Sequence, residues 1–242
     1  MIQPRTLAKP PIKEAVLEIL FSYPKEVGLK YLNEYDKLIN KEFPHRESIV
    51  TINADINLNN NDKVSRTIIG HTYFSSDKKT RIQVRMDGIS YSQTSESYKS
   101  WEQFKPLAFK QIKSFTDFIG PTGFTRYSLR FINEIKIPVG DNLKDYVIIL
   151  PNIDVFNLPV RNLISRVELD KSEIGAIAVI GQLFSPPFYE TVNLFLDIDV
   201  IINETISNVD LEYLSNGFEK LRTLKNDIFF SALTEKTIKS FS

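Results

Sequence analysis

The sequence predicts an α+β fold of antiparallel sheets with packed helices, built as two similar halves in the order strand, helix or short helix, several strands, long helix. Three observations lead there. Apolar and polar residues alternate with a period of two in a series of short blocks. Three longer stretches repeat apolar residues at helical spacing, and the two kinds of block do not alternate one for one, as parallel βαβ units would. The 242 residues suffice for one large domain or two small ones. The division falls between residues 1–120 and 121–242, with the seam at 120–123, and the halves are expected to form one compact body. No residue-by-residue repeat links them, so an internal duplication stays open.

The elements follow in order. After a proline-containing arm, residues 14–22 place Ala15, Leu17, Ile19 and Phe21 on one side and Glu14, Val16, Glu18 and Leu20 on the other, a strand with carboxylates on its second face. Residues 28–43 repeat Leu29, Leu32, Tyr35 and Ile39 at helical spacing until Pro44 ends the helix. Strands are expected at 47–58, 64–74, 80–86 and 89–93, joined by turn-forming stretches at Asn59-Asn60-Asn61-Asp62, Ser75-Ser76-Asp77 and Asp87-Gly88, the last a type I′ hairpin signal. A helix over 97–119 carries Trp101, Phe104, Leu107, Ala108, Gln111 and Ile112 on a face that reads as core, contains Pro106 and stops at Gly120-Pro121. The second half opens with a long strand at 124–138 and a short helical or irregular segment at 141–150. Strands at 162–170, 174–184 and 189–202 follow, then a helical tail over 208–241.

Composition narrows the function. Thirty Lys and Arg balance thirty Asp and Glu, which argues against a wholly basic nucleic-acid binder. The absence of Cys removes disulfides, thiolate nucleophiles, iron–sulfur clusters and sulfur-ligated zinc. The two histidines, His45 and His71, are too few for a multi-histidine metal site, and the dinucleotide, P-loop, esterase and zinc-protease patterns are missing. His71 lies in a strand pattern and reads as a structural or surface residue, His45 as a solvent-facing one. No apolar run approaches the roughly 20 residues of a membrane span. Glu14 and Glu18 flank and interrupt the first apolar stretch, so no signal peptide is expected and the location is read as cytoplasmic.

Charge is nevertheless segregated. Residues 78–130 hold ten basic and four acidic side chains, whereas residues 172–219 hold eight acidic and no basic ones. Such separation steers an anionic partner, joins complementary halves, or supplies the two ends of a self-association contact. Arg81 and Arg85 share one face of their strand, and Arg126 and Arg130 share a face of theirs. Within one sheet these four guanidiniums line a surface that binds phosphate or carboxylate in bidentate fashion. The alternative is a lattice of cross-strand ion pairs with Glu14, Glu18, Asp197 and Asp199. Asp197 and Asp199 also share a strand face and, with Glu14, are candidate ligands for Mg²⁺ or Mn²⁺; a salt-bridged or solvated face is the bland reading. Tyr73, Phe74, Tyr91, Tyr98 and Trp101 near the basic strands would suit a stacking platform for single-stranded nucleic acid.

Several stretches together carry a resemblance. Pro10-Pro11-Ile12-Lys13-Glu14-Ala15, Gln83-Val84-Arg85-Met86-Asp87-Gly88, Tyr98-Lys99-Ser100-Trp101-Glu102 and Arg126-Tyr127-Ser128-Leu129-Arg130-Phe131-Ile132-Asn133 occur in that order. Leu196-Asp197-Ile198-Asp199 and Leu221-Arg222 with Lys225-Asn226-Asp227-Ile228-Phe229 complete the series. The chain resembles, over nearly its whole length, a sporadically distributed family of prokaryotic proteins of similar size with no assigned function. Glu134 departs from the pattern, standing where a basic residue is expected. The resemblance assigns no chemistry to residues, but sporadic distribution is similar to that of mobile accessory genes such as toxin–antitoxin and phage-defence cassettes. The expected function is therefore a binding or regulatory subunit of such a module rather than an enzyme, without a cofactor. Its contact surface would be the acidic C-terminal region or the arginine-bearing sheet face. A protein partner is expected, self-association stays open, and the alternatives are a Mg²⁺- or Mn²⁺-dependent enzyme on a phosphate-containing substrate and single-stranded nucleic-acid binding.

Overall fold

The structure, a computed structural model, describes residues 7–23, 28–55, 63–148, 162–184 and 190–242. Its strands are β1 (Ile12–Ser22), β2 (His45–Asp55), β3 (Lys63–Phe74), β4 (Thr80–Arg85), β5 (Gly88–Thr94), β6 (Gly123–Pro138), β7 (Leu163–Lys171), β8 (Ala176–Phe184) and β9 (Thr191–Ile206). The helices are α1 (Leu29–Ile39), α2 (Trp101–Ile119), α3 (Leu211–Ala232) and α4 (Glu235–Ser240). The strands form a large antiparallel sheet in the order β2-β3-β4-β5-β1-β6-β9-β8-β7, so the α+β class stands. The turn expected at residues 59–62 and the end of the segment at 141–150 lie outside the described residues. No described helix is long and apolar enough to cross a membrane.

The chain divides into two compact units, one made of Met1–Val16, Tyr127–Asn203 and Glu212–Ser242, the other of Leu17–Arg126 and Glu204–Leu211. In the second of these, β1 buries Leu17, Ile19 and Phe21, β4 buries Ile82 and Val84, and β5 buries Ile89 and Tyr91. The cover comes from Leu32, Tyr35 and Ile39 of α1 and from Trp101, Phe104, Ala108, Gln111, Ile112 and Phe115 of α2, whereas Leu107, expected on the same face, lies at its edge and is 41% exposed. The rings interlock: Tyr35 meets Phe115 edge-on with centroids 5.3 Å apart, and Tyr91 meets Phe104 at 5.5 Å. The boundaries of α2 follow from its sequence. Ser100 Oγ accepts from the amide of Gln103, and Gly120 closes the helix in the left-handed region at φ 65°.

The other unit packs α3 on its own strands. Leu194, Leu196, Ile198 and Val200 of β9, Ala178 and Ile180 of β8, and Leu129 and Phe131 of β6 are buried, as are Leu214, Phe218 and Leu221 of α3. The Tyr127 and Phe218 rings meet at a tilt of 60° with centroids 5.3 Å apart. A Cβ on Gly217 would come within 2.5 Å of Tyr127 Oη, so this glycine lets α3 approach β6. The single helical tail expected over 208–241 is in fact two helices. The chain breaks at Leu233–Thr234, where Thr234 Oγ1 accepts from the amide of Thr237 and donates to the carbonyl of Asp145 at 2.6 Å.

A second correction concerns Asp87-Gly88. Arg85 pairs with Gly88, so Met86 and Asp87 form the turn, and neither has the positive φ that a type I′ turn requires. Gly88 serves close approach instead: a Cβ there would lie 2.3 Å from the carbonyl oxygen of Ile19, a backbone atom unable to step aside. Gly88→Ala is therefore expected to destabilise the fold by about 1–3 kcal/mol in urea denaturation, the usual cost of overpacking. Gly28, with open space around its Cβ position and a φ of −83° that any residue adopts, is the control. Gly28→Ser should change stability by no more than about 0.5 kcal/mol.

Candidate functional site

Strand alternation places the predicted arginines, and the structure shows what each one meets. In the unit containing β3–β5, Glu18 of β1 is shared by two guanidiniums. Arg85 Nη2 lies 2.9 Å from its Oε1, and Arg126 Nη1 lies 2.7 Å from its Oε2. Arg85 Nε also donates to Asp87 Oδ1 at 3.0 Å. Burial works against the charge on Arg85, but Glu18 and Asp87 outweigh it and raise the arginine's pKa. Arg81 stands apart on the same strand, with Nε donating to Ser92 Oγ at 2.9 Å. Arg130 belongs to the other unit. It holds Asp197 in bidentate geometry, Nε to Oδ1 at 2.8 Å and Nη2 to Oδ2 at 2.5 Å. The hydrogen bonds to Asp197 are the main cause of a raised Arg130 pKa, and Asp199 and Glu14 add to it electrostatically. Glu14, Asp197 and Asp199 thus gather around a guanidinium. Among the described residues no group of three or more His, Asp or Glu side chains is placed to hold a metal ion. Glu134 receives Lys13 Nζ at 2.9 Å.

A different kind of surface appears on the β2–β3 arm. Its register pairs Arg46 with Tyr73, Ser48 with His71, Val50 with Ile68 and Ile52 with Arg66, with an irregularity between Ile49 and Val50. Alternation puts positions 46, 48, 50 and 52 of β2 on one side. Over Tyr73 and His71 that side is covered by α1: His71 Nε2 donates to Asn33 Oδ1 at 2.8 Å, and Arg46 reaches Asp36 at 3.6 Å. Farther along the arm, Val50, Ile52 and Ile68 are exposed.

No family model matches this chain, and no curated protein matches it.

Both histidines are where the sequence put them, His45 exposed and His71 structural. His71 is 2% exposed, and burial lowers its pKa, with Arg46 acting in the same direction. Trp101 is a core residue at 5% exposure. The sequence reading missed Lys225. It occupies the apolar stripe of α3 that runs through Leu214, Phe218, Leu221, Phe229 and Ala232, and its Nζ sits 4.1 Å from the centroid of the Phe131 ring. Desolvation, with Arg222 one turn earlier, lowers its pKa to about 7. The stripe spacing was visible in the sequence, and a lysine on it is the signal that went unused.

Two predictions come from these groups. Removing the charge on Glu18 takes from Arg85 and Arg126 the carboxylate they share, and Glu18→Gln should cost about 2 kcal/mol, reduced from the buried-pair value because part of the cluster meets solvent. The more exposed Asp197→Asn should cost less than about 1 kcal/mol; parallel denaturant titrations compare the two. For Lys225 the folded pKa lies below the unfolded value of 10.5. Above pH 7 the unfolded chain therefore binds more protons than the folded one, and stability rises with pH. Unfolding free energy should increase between about pH 7 and pH 9.5, and Lys225→Met should flatten that rise.

Proposed function

We propose that this chain is a protein-binding subunit whose docking surface is the open face of the β2–β3 arm. The supporting observation is the exposure of Val50, Ile52 and Ile68, at 45%, 59% and 37%, beyond the reach of α1. Three β-branched side chains on adjacent strands form a patch that contact with a partner would remove from water, at about 25 cal/mol per Å². Left open, an aliphatic patch on an edge strand is an aggregation hazard, which favours a resident partner. Arg66, across from Ile52 and exposed, sets a guanidinium beside the patch. The partner is accordingly a protein surface that presents aliphatic side chains next to a carboxylate.

Contact through the arginine face has less support. Arg85, Arg126 and Arg130 already spend their guanidiniums on Glu18, Asp87 and Asp197, so an anionic partner would first have to displace those carboxylates.

The test is a tagged pull-down from the native host with mass spectrometry of the bound protein, run for wild type and for Val50→Thr/Ile52→Thr. Threonine keeps the β-branched shape while a hydroxyl replaces a methyl of Val50 and the ethyl branch of Ile52. The wild type is expected to bring down a stoichiometric partner and the double variant to lose it, with thermal melts that coincide. A partner retained by the double variant, or no stoichiometric partner for the wild type, would refute the assignment.

A further inference from the structure

The far end of the strand order carries a second uncovered surface, in the unit that holds β6–β9. β7 is the terminal strand, hydrogen-bonded to β8 on one side. Its pairing runs without interruption from Leu163 opposite Phe184 to Lys171 opposite Ala176. Over these nine residues there is no Pro and no bulge, two of the devices that keep a sheet edge from pairing; a third, charge, is present in both signs. Val167 and Leu169 stand opposite Ile180 and Ala178, both buried, so they lie on the side of the sheet that forms the core. At β7 that apolar side runs out of cover: Val167 is 44% and Leu169 51% exposed, and Ile164 on the other side is 75% exposed. Among the described residues no strand pairs with the outer side of β7, and one more strand would satisfy both that backbone and the uncovered side chains.

The charges on β7 indicate which strand that is. Facing residues of an antiparallel pair point to the same side, so a two-fold axis normal to the sheet passes at a residue rather than between two. Centred on Val167, a self-pairing of β7 sets Arg166 across from Glu168 twice, Val167 across from itself and Leu169 across from Ser165. Moving the centre to Arg166 or Glu168 sets like charges face to face, and moving it to Leu169 opposes Glu168 to Asp170. Among symmetric registers centred within the strand, the one at Val167 alone places opposite charges directly across with no like pair. Arg166 and Glu168 already share one side of the strand at 2.6 Å, and both are more than half exposed.

We propose that two copies of this chain associate through β7, antiparallel and two-fold symmetric about Val167, with Arg166 of each copy facing Glu168 of the other. The contact is isologous, so it closes at a dimer and continues the sheet across the axis. It is independent of the partner-binding reading, which rests on other strands.

The experiment is sedimentation velocity on the purified full chain from about 1 μM to about 500 μM, a range that covers the modest affinity of a single strand-pair interface. Wild type is expected to dimerise. Arg166→Glu and Glu168→Arg each put like charges across the axis and should weaken the dimer at least tenfold, with unchanged far-UV circular dichroism. Mixing the two single variants restores opposite charges at both positions, so an equimolar mixture should form a heterodimer where each variant alone is monomeric. A wild type that stays monomeric throughout overturns the proposal. A dimer indifferent to either variant, or a mixture that fails to associate, does the same.

Discussion

One-sided cover is the constraint on which the rest of this structure depends. In each unit the helices lie against one side of the strands, so alternation divides every covered strand into a side that must be apolar and a side that must satisfy itself. β1 shows both halves of the rule. Leu17, Ile19 and Phe21 are buried beneath ring-rich helices, while Glu18 between them turns to the other side and binds Arg85 and Arg126. Polar side chains on that second side are held in cross-strand pairs, such as Arg81 with Ser92 and Arg130 with Asp197. Groups so engaged stabilise register and are poorly disposed to bind a further ligand.

Where the helices end, the same rule leaves surface that the chain itself does not cover. The β2–β3 arm carries aliphatic side chains past α1, and β7 carries the apolar side of its unit out to the sheet edge. The two surfaces differ in chemistry: the arm carries a patch with Arg66 beside it, and the edge strand carries charges in self-complementary order.

Much of the architecture was legible because it rests on local patterns. The alternation in residues 14–22 identified β1 and its buried side, Gly120-Pro121 ended α2 as expected, and Trp101 proved to be core, although the helix begins after the Ser100 cap rather than at residue 97. The break between α3 and α4 was not legible, because Thr234 becomes a cap through Asp145, far away in sequence. The turn at residues 86–87 was misread for a related reason. Gly88 is required by the carbonyl of Ile19 on a neighbouring strand rather than by the hairpin's own dihedral angles.

The candidate site divides along the same line. By itself the sequence determined which residues share a strand face, since a period of two needs no knowledge of neighbours: Arg81 with Arg85, Arg126 with Arg130, Asp197 with Asp199. Only the tertiary structure decided what each face meets. It brought Glu18 between Arg85 and Arg126, set Asp197 on Arg130, laid Lys225 over Phe131, and left Val50, Ile52, Val167 and Leu169 open. Strand order and helix reach are long-range properties. A residue's exposure depends on which element stops short of it, and nothing in its immediate sequence records that.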